Sequence, residues 1–355
     1  MVSGILHETG RISSRFLACG LLLCALVESA TASPLFEENS VLDVQLQGPL
    51  RTIVRDKKDE NRQEYPFTLT VDGIELPLDV RVRGKSRVIV CEFPPLRLRL
   101  QPETAGQTVF RGQGKLKLVT HCKSNSDKSE SNLLEEYTAY RIFNLISDIG
   151  YRVRLLRVRY VDTEDRLKGL DRSYFAFLIE SDSELAARTG AEIASIDGVP
   201  YSRLSDEQTA LLYVFQYLIG NFDWSFVLAD DAESCCHNVG LIERNGELFP
   251  VPYDFDRSGL VNARYAKPPP ELGIRRSTQR VYRGYCKTNI EEVASALDKI
   301  VDLKKDIMSV VANSPEIGEE DPASRAQYIG NFFEQALLGR DEMLEEFGND
   351  CLGPD

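Results

Sequence analysis

No stretch of this 355-residue chain is apolar for long enough to cross a bilayer as a helix. The longest such run, FLACGLLLCALV, is about twelve residues, whereas a span takes roughly twenty. A basic excess is missing too: the formal net charge is -13, which argues against nucleic acid, whose phosphates are met by basic surfaces. Basic stripes such as RVRGKSR and YRVRLLRVRY alternate as strands with one charged face do. Long Pro/Gly-rich or repetitive tracts are lacking, which excludes a fibre and a mainly disordered chain. The Cys and His residues do not follow zinc-module spacing, and neither a nucleophile elbow nor a Ser-His-Asp order supports a serine hydrolase.

What is present is an ordinary globular balance, 43% hydrophobic and 27% charged, in a chain long enough for one two-lobed domain or two small ones. Arg11 and Arg15 precede the short apolar run, and ATA at 30–32 supplies a small-x-small cleavage pattern. Residues 1–32 are therefore expected to be a signal peptide, and the protein to be exported, periplasmic or extracellular, without stable membrane insertion. Its oligomeric state stays open. Cys91, Cys122, Cys235, Cys236, Cys286 and Cys351 remain after the leader. An even number in an exported chain predicts disulfides, and all fifteen pairings remain possible.

Residues 33–181 read mainly as strands. PFTLTVDGIELPLDVRVRG alternates around a hairpin signal at Asp72-Gly73, and PLRLRLQ, KLKLVTH, YRVRLLRVRYVD and SYFAFLIES continue the period of two. One helix interrupts them, NLLEEYTAYRIFNLISDIG, with Asn132 as its expected cap. Residues 182–355 turn helical. A helix with a Ser205/Gln208 capping box stops at Gly220, a hairpin turns at Asn245-Gly246, and helices follow near 288–312 and 322–346. The fold expected is α+β.

The candidate chemistry lies between 219 and 256, where IGNFDWSFVLADDAESCCHN precedes PVPYDFD. Hairpin closure is expected to bring Asn238 and Asp254 to one edge with Asp223 beside them. Oxygen ligands of this kind suit a hard divalent cation, and a separate Asp can orient a hydroxyl. Upstream, Lys117 lies on a strand and Glu135 or Glu136 on the following helix. Lys, Glu, Asp, Asn, Asp is the order used in phosphoryl transfer by protein kinases.

Together, RVRGKSR, KLKLVTHC, EEYTAYRIFNLIS, GNFDWS, HN and PVPYDFD resemble the CotH kinase family, over about residues 70 to 266. The resemblance implies a bilobal protein-kinase-like fold, with a β-rich N-lobe carrying one helix and an α-rich C-lobe. It also implies ATP with Mg²⁺ or Mn²⁺, and transfer of the γ-phosphoryl group to Ser or Thr of an exported protein substrate. Asp223 would be the catalytic Asp, and Asn238 and Asp254 the metal ligands. Lys117 would hold phosphates with Glu136 as its partner, and Arg83, Lys85, Ser86 and Arg87 would lie near the phosphates. The chain departs from a protein kinase in three places: it has RGQG rather than GxGxxG, it lacks HRD, and VLADDAESCC is inserted between Asp223 and Asn238. Two alternatives follow, a binding module that keeps the scaffold without activity, and a metal-dependent hydrolase built on Asp223, Asp254 and Asp256.

Overall fold

In the computed structural model the described residues are Met1, Val2, Gly4, 34–196, 198–226, 235–317 and 322–353. Met1–Thr31 forms one unit and Ala32–Asp355 another, and everything below concerns the second. The expected signal peptide, apart from Met1, Val2 and Gly4, and the 227–234 part of the insertion lie outside the described residues. Among those described, no helix is long and apolar enough to cross a membrane.

Strands β1 (Leu42–Gly48), β2 (Tyr65–Val71), β3 (Ile74–Val82), β4 (Leu96–Leu100), β5 (Lys115–Val119), β6 (Val153–Asp162) and β7 (Tyr174–Ile179) close into a barrel of order β1-β2-β3-β4-β5-β7-β6. Neighbours are antiparallel except β1 and β6, which run parallel with Val44 opposite Val158. Asp72 and Gly73 both have positive φ at the β2–β3 turn, as a two-residue hairpin requires. The strand period of two sends Leu46, Leu69, Leu78, Leu98, Leu118 and Leu178 into an apolar barrel interior.

This closed barrel corrects the expected bilobal kinase-like fold, in which the same strands form the open sheet of an N-lobe. Alternation identifies strands but carries no information about closure, and closure here depends on a pairing between segments more than a hundred residues apart. A separate sheet, β8 (Glu192–Ile193), β9 (Val239–Arg244) and β10 (Glu247–Pro252), lies in the part expected to be α-rich. The part expected to carry one helix has four: α1 (Leu50–Arg55), α2 (Ser86–Val90), α3 (Pro102–Ala105) and α4 (Asp127–Ile146).

One side of the barrel is buried twice. Every residue of β7 is buried: Ala176 and Leu178 face the barrel core, while Phe175, Phe177 and Ile179 join a second core with α4 and α6 (Asp206–Ile219). The helix α4 starts at Asp127 and is capped by the Ser126 hydroxyl, six residues before the expected cap Asn132. It runs between the barrel wall and the remaining helices, and its Tyr137 and Tyr140 rings pack on Phe177 at 5.9 and 5.7 Å. Helix α6 ends at Gly220 in the left-handed conformation, as expected. Ser205 makes no side-chain cap, however, and the reciprocal half of the box is missing too: its backbone N–H donates to Leu248 O at 2.8 Å while Gln208 turns inward to donate to Ile149 O and Pro250 O.

After α5 (Asp182–Thr189), α6 and the three-stranded sheet, the chain finishes with α7 (Ile290–Asp302), α8 (Lys304–Ala312), α9 (Pro322–Leu338) and α10 (Arg340–Asp350). Disulfides join Cys91 to Cys122, Cys235 to Cys236 and Cys286 to Cys351.

Phe177 ties the barrel to α4, so Phe177→Ala is expected to lower the unfolding free energy by about 3–5 kcal/mol, the usual cost of emptying a buried aromatic site. Urea denaturation followed by circular dichroism measures it.

Candidate functional site

Where β3 ends, Gly84 takes a positive φ of 88°, a conformation that glycine enters without steric cost, and the chain turns into RGKSR. Arg83 is tied to the barrel by its backbone N–H, which donates to Pro95 O at 3.0 Å. The turn delivers Arg83, Lys85, Ser86 and Arg87 to the rim of a cavity of about 50 Å³. Lys117 and Val119 of β5, Glu136 and Tyr140 of α4, and Tyr151, Ile179, Tyr253 and Asp254 complete its lining. The two helical candidates are thereby distinguished: Glu136, not Glu135, faces this space.

Arg87 is the hub of the cavity wall. Its guanidinium donates to Glu136 Oε2 and, through Nε at 2.8 Å, to Asp256 Oδ2, which also accepts from the Tyr265 hydroxyl at 3.0 Å. The side chains are 13%, 2% and 4% exposed for Arg87, Glu136 and Asp256, so this is an interior ion triad. Burial works against the charge on Arg87, but Glu136 and Asp256 outweigh it and hold the group above its ordinary range. Burial raises Glu136, Arg87 opposes that, and the neighbouring Asp256 and Asp254 add to the rise. Asp254 is pushed up to about 6, first by burial and then by Asp256, against the pull of Arg87 and Arg83. Three carboxylates around one guanidinium repel each other, and a proton on one of them relieves it.

Lys117 does not reach Glu136. Its ammonium contacts Asp182 Oδ1 at 3.3 Å, the same oxygen that accepts from the Tyr151 hydroxyl at 2.8 Å, and lies 5.4 Å from the Tyr151 ring centre and 5.7 Å from that of Tyr253. Burial lowers its pKa, Asp182 opposes, and Arg83 adds to the lowering.

Asp223 and Asn238 form a neighbouring cluster. Beyond Gly220, Asn221 Oδ1 accepts from Asp223 N at 3.0 Å, an Asx turn that fixes the loop. The Asn238 amide donates to Asp223 O at 2.6 Å and Oδ2 at 3.2 Å, and His237 Nε2 lies 3.0 Å from Asp223 Oδ1. Burial opposes ionisation of Asp223, but the His237 hydrogen bond, then the His237 and Arg257 charges, bring its pKa below the ordinary value. Tyr253 N donates to Asn238 O at 3.0 Å, so the hairpin does place Asp254 one residue from the strand pairing that holds Asn238.

The Asn238 Nδ2 donates to Asp223, Asp256 is committed to Arg87 and Tyr265, and no group of three or more His, Cys, Asp or Glu residues among the described residues could hold a metal ion. No protein-family model matches the chain, and no curated protein matches it. With a closed barrel in place of an open lobe and no metal cluster, the expected ATP-dependent phosphotransferase is corrected, together with its inactive counterpart and the metal-dependent hydrolase.

Asp182, Tyr151, Tyr253, Arg257 and Tyr265 were not among the expected site residues. Tyr253 and Arg257 flank the DFD motif, so proximity marks them. Asp182 sits just inside a capping box opened by Ser181, and nothing local ties it to a lysine 65 positions away.

Replacing Arg87 by Met leaves two buried carboxylates without their counter-ion, and the expected loss is about 3–5 kcal/mol at pH 7.5, less at pH 5. Asp254→Asn has the opposite sign. Because the folded state holds the Asp254 proton more tightly than the unfolded chain, the contribution of this group is fully present below about pH 3.8 and is lost as pH rises through about 6. The Asn variant is therefore expected to be more stable than the parent by about 1–3 kcal/mol at pH 8, with the difference fading toward pH 4. Denaturation midpoints across that range check both.

Proposed function

We propose that this is a ligand-binding protein whose cavity takes an oxyanion, of the phosphoryl type, carried by a small molecule. The observation that carries the reading is the position of Lys117: a half-buried ammonium on the cavity wall, in contact with one carboxylate oxygen at 3.3 Å, with Arg83 and Lys85 lining the same cavity. A half-buried cation beside further basic groups gains from a bound counter-ion, and a phosphoryl group offers several acceptor oxygens to Lys and Arg donors. Tyr151 and Tyr253 supply the apolar flank that small-molecule sites commonly have. Three disulfides suit an oxidising compartment, which supports an exported protein.

Thermal denaturation of the purified chain with sulfate, inorganic phosphate, pyrophosphate, or ATP with and without Mg²⁺ tests this. At a ligand concentration 100-fold above Kd the expected stabilisation is about 2.7 kcal/mol. Lys117→Ala is expected to weaken binding at least tenfold, and Asp254→Asn to strengthen it at pH 7.5 by removing a repelling charge. Absence of stabilisation by every one of these anions, or a response that survives Lys117→Ala, overturns the reading. A response to ATP alone widens the ligand from the anion to the nucleotide.

A further inference from the structure

Helices α9 and α10 meet at Gly339 and leave a notch of about 550 Å³. Tyr217 and Met343, both buried, form its floor, and Leu338 stands at its rim, 83% exposed, beside Leu337 at 55%. Every charged side chain lining the notch is acidic: Glu334, Glu342 and Glu346. Among the described residues none of the three has an ion-pair partner, and the hydrogen bond of Glu346 is from the Tyr217 hydroxyl at 3.3 Å. Acidic groups elsewhere on the helices are treated differently. Asp298 is held by Arg340 at 2.7 Å and Glu207 by Lys299 at 3.1 Å. An apolar floor with two exposed leucines, ringed by uncompensated carboxylates, fits one kind of surface in particular.

We propose that this notch docks a basic amphipathic helix of a protein partner. A large apolar side chain of that helix would rest on Tyr217 and Met343, and lysines or arginines on the adjoining turns would meet the glutamates. This is the helix-in-groove mode of recognition, with charge complementarity setting register and orientation. A second copy of the same face is disfavoured because it would bring six glutamates together, and an anionic lipid surface is disfavoured for the same reason.

The probe is a fluorescent helical peptide carrying Leu at i, i+3 and i+7 with Lys at the flanking i+4 positions, titrated into the full chain by anisotropy. The expected result is saturable binding that weakens at least tenfold in Glu342→Lys with Glu346→Lys, at least tenfold in Leu338→Asp, and with rising salt. All three positions are exposed, and unchanged melting curves will confirm that the variants fold. A peptide of the same composition in scrambled order is expected to bind at least tenfold more weakly. Equal binding of the scrambled peptide, affinity unchanged by the notch substitutions, or a concentration-dependent dimer that Leu338→Asp dissolves in sedimentation would each overturn the proposal.

Discussion

The guanidinium of Arg87 is the constraint on which the site depends. It belongs to the turn that leaves the barrel at Gly84, yet its partners belong elsewhere, Glu136 to the long helix and Asp256 to the segment after β10. Chain stretches separated by 49 and 169 residues are thus held together by one planar group whose donors are fixed in direction. Solvent is largely excluded, so the attraction is strong, and so is the penalty for leaving any member unpaired. The rim residues Arg83, Lys85 and Ser86 inherit their position from this anchor. The cavity wall is therefore defined by an electrostatic junction laid over apolar packing.

That junction also explains the character of the cavity. With Arg87 already engaged by two carboxylates, Asp254 is left near the cationic rim without a dedicated counter-ion, and Lys117 shares its single carboxylate oxygen with a tyrosine. Half-buried charges in such partial compensation are unfavourable for the folded state. Ion pairs elsewhere in the chain, such as Arg188 with Glu180, are made at shorter distance and in bidentate form.

Local chemistry was readable from the amino-acid order, and long-range association was not. The turns at Asp72-Gly73 and Asn245-Gly246 declare themselves because φ is positive at all four residues, and the end of α6 at Gly220 does so for the same reason. The start of that helix misleads: Ser205 and Gln208 have capping-box spacing, but the glutamine finds two buried carbonyls across the fold and takes those instead. In the same way, RGKSR, Lys117, Glu136 and Asp254 were recognisable as a polar set and do share one cavity, whereas their partners were not. Glu136 goes to Arg87 and Lys117 to Asp182, choices decided by tertiary packing. Strand identity followed from alternation, but closure into a barrel rests on β1 lying parallel to β6, and no local pattern encodes that.

The parallel seam between Leu42–Gly48 and Val153–Asp162 has a consequence for how the molecule is made. While the chain is being synthesised from its N-terminus, the first strand can hydrogen-bond to its hairpin neighbour at once, but its other edge stays bare until more than a hundred further residues have emerged. During that interval the nascent sheet exposes a free edge to any strand it meets, its own or a stranger's. However early the first strands pair, the barrel is sealed only when Val153–Asp162 arrives beside Leu42–Gly48.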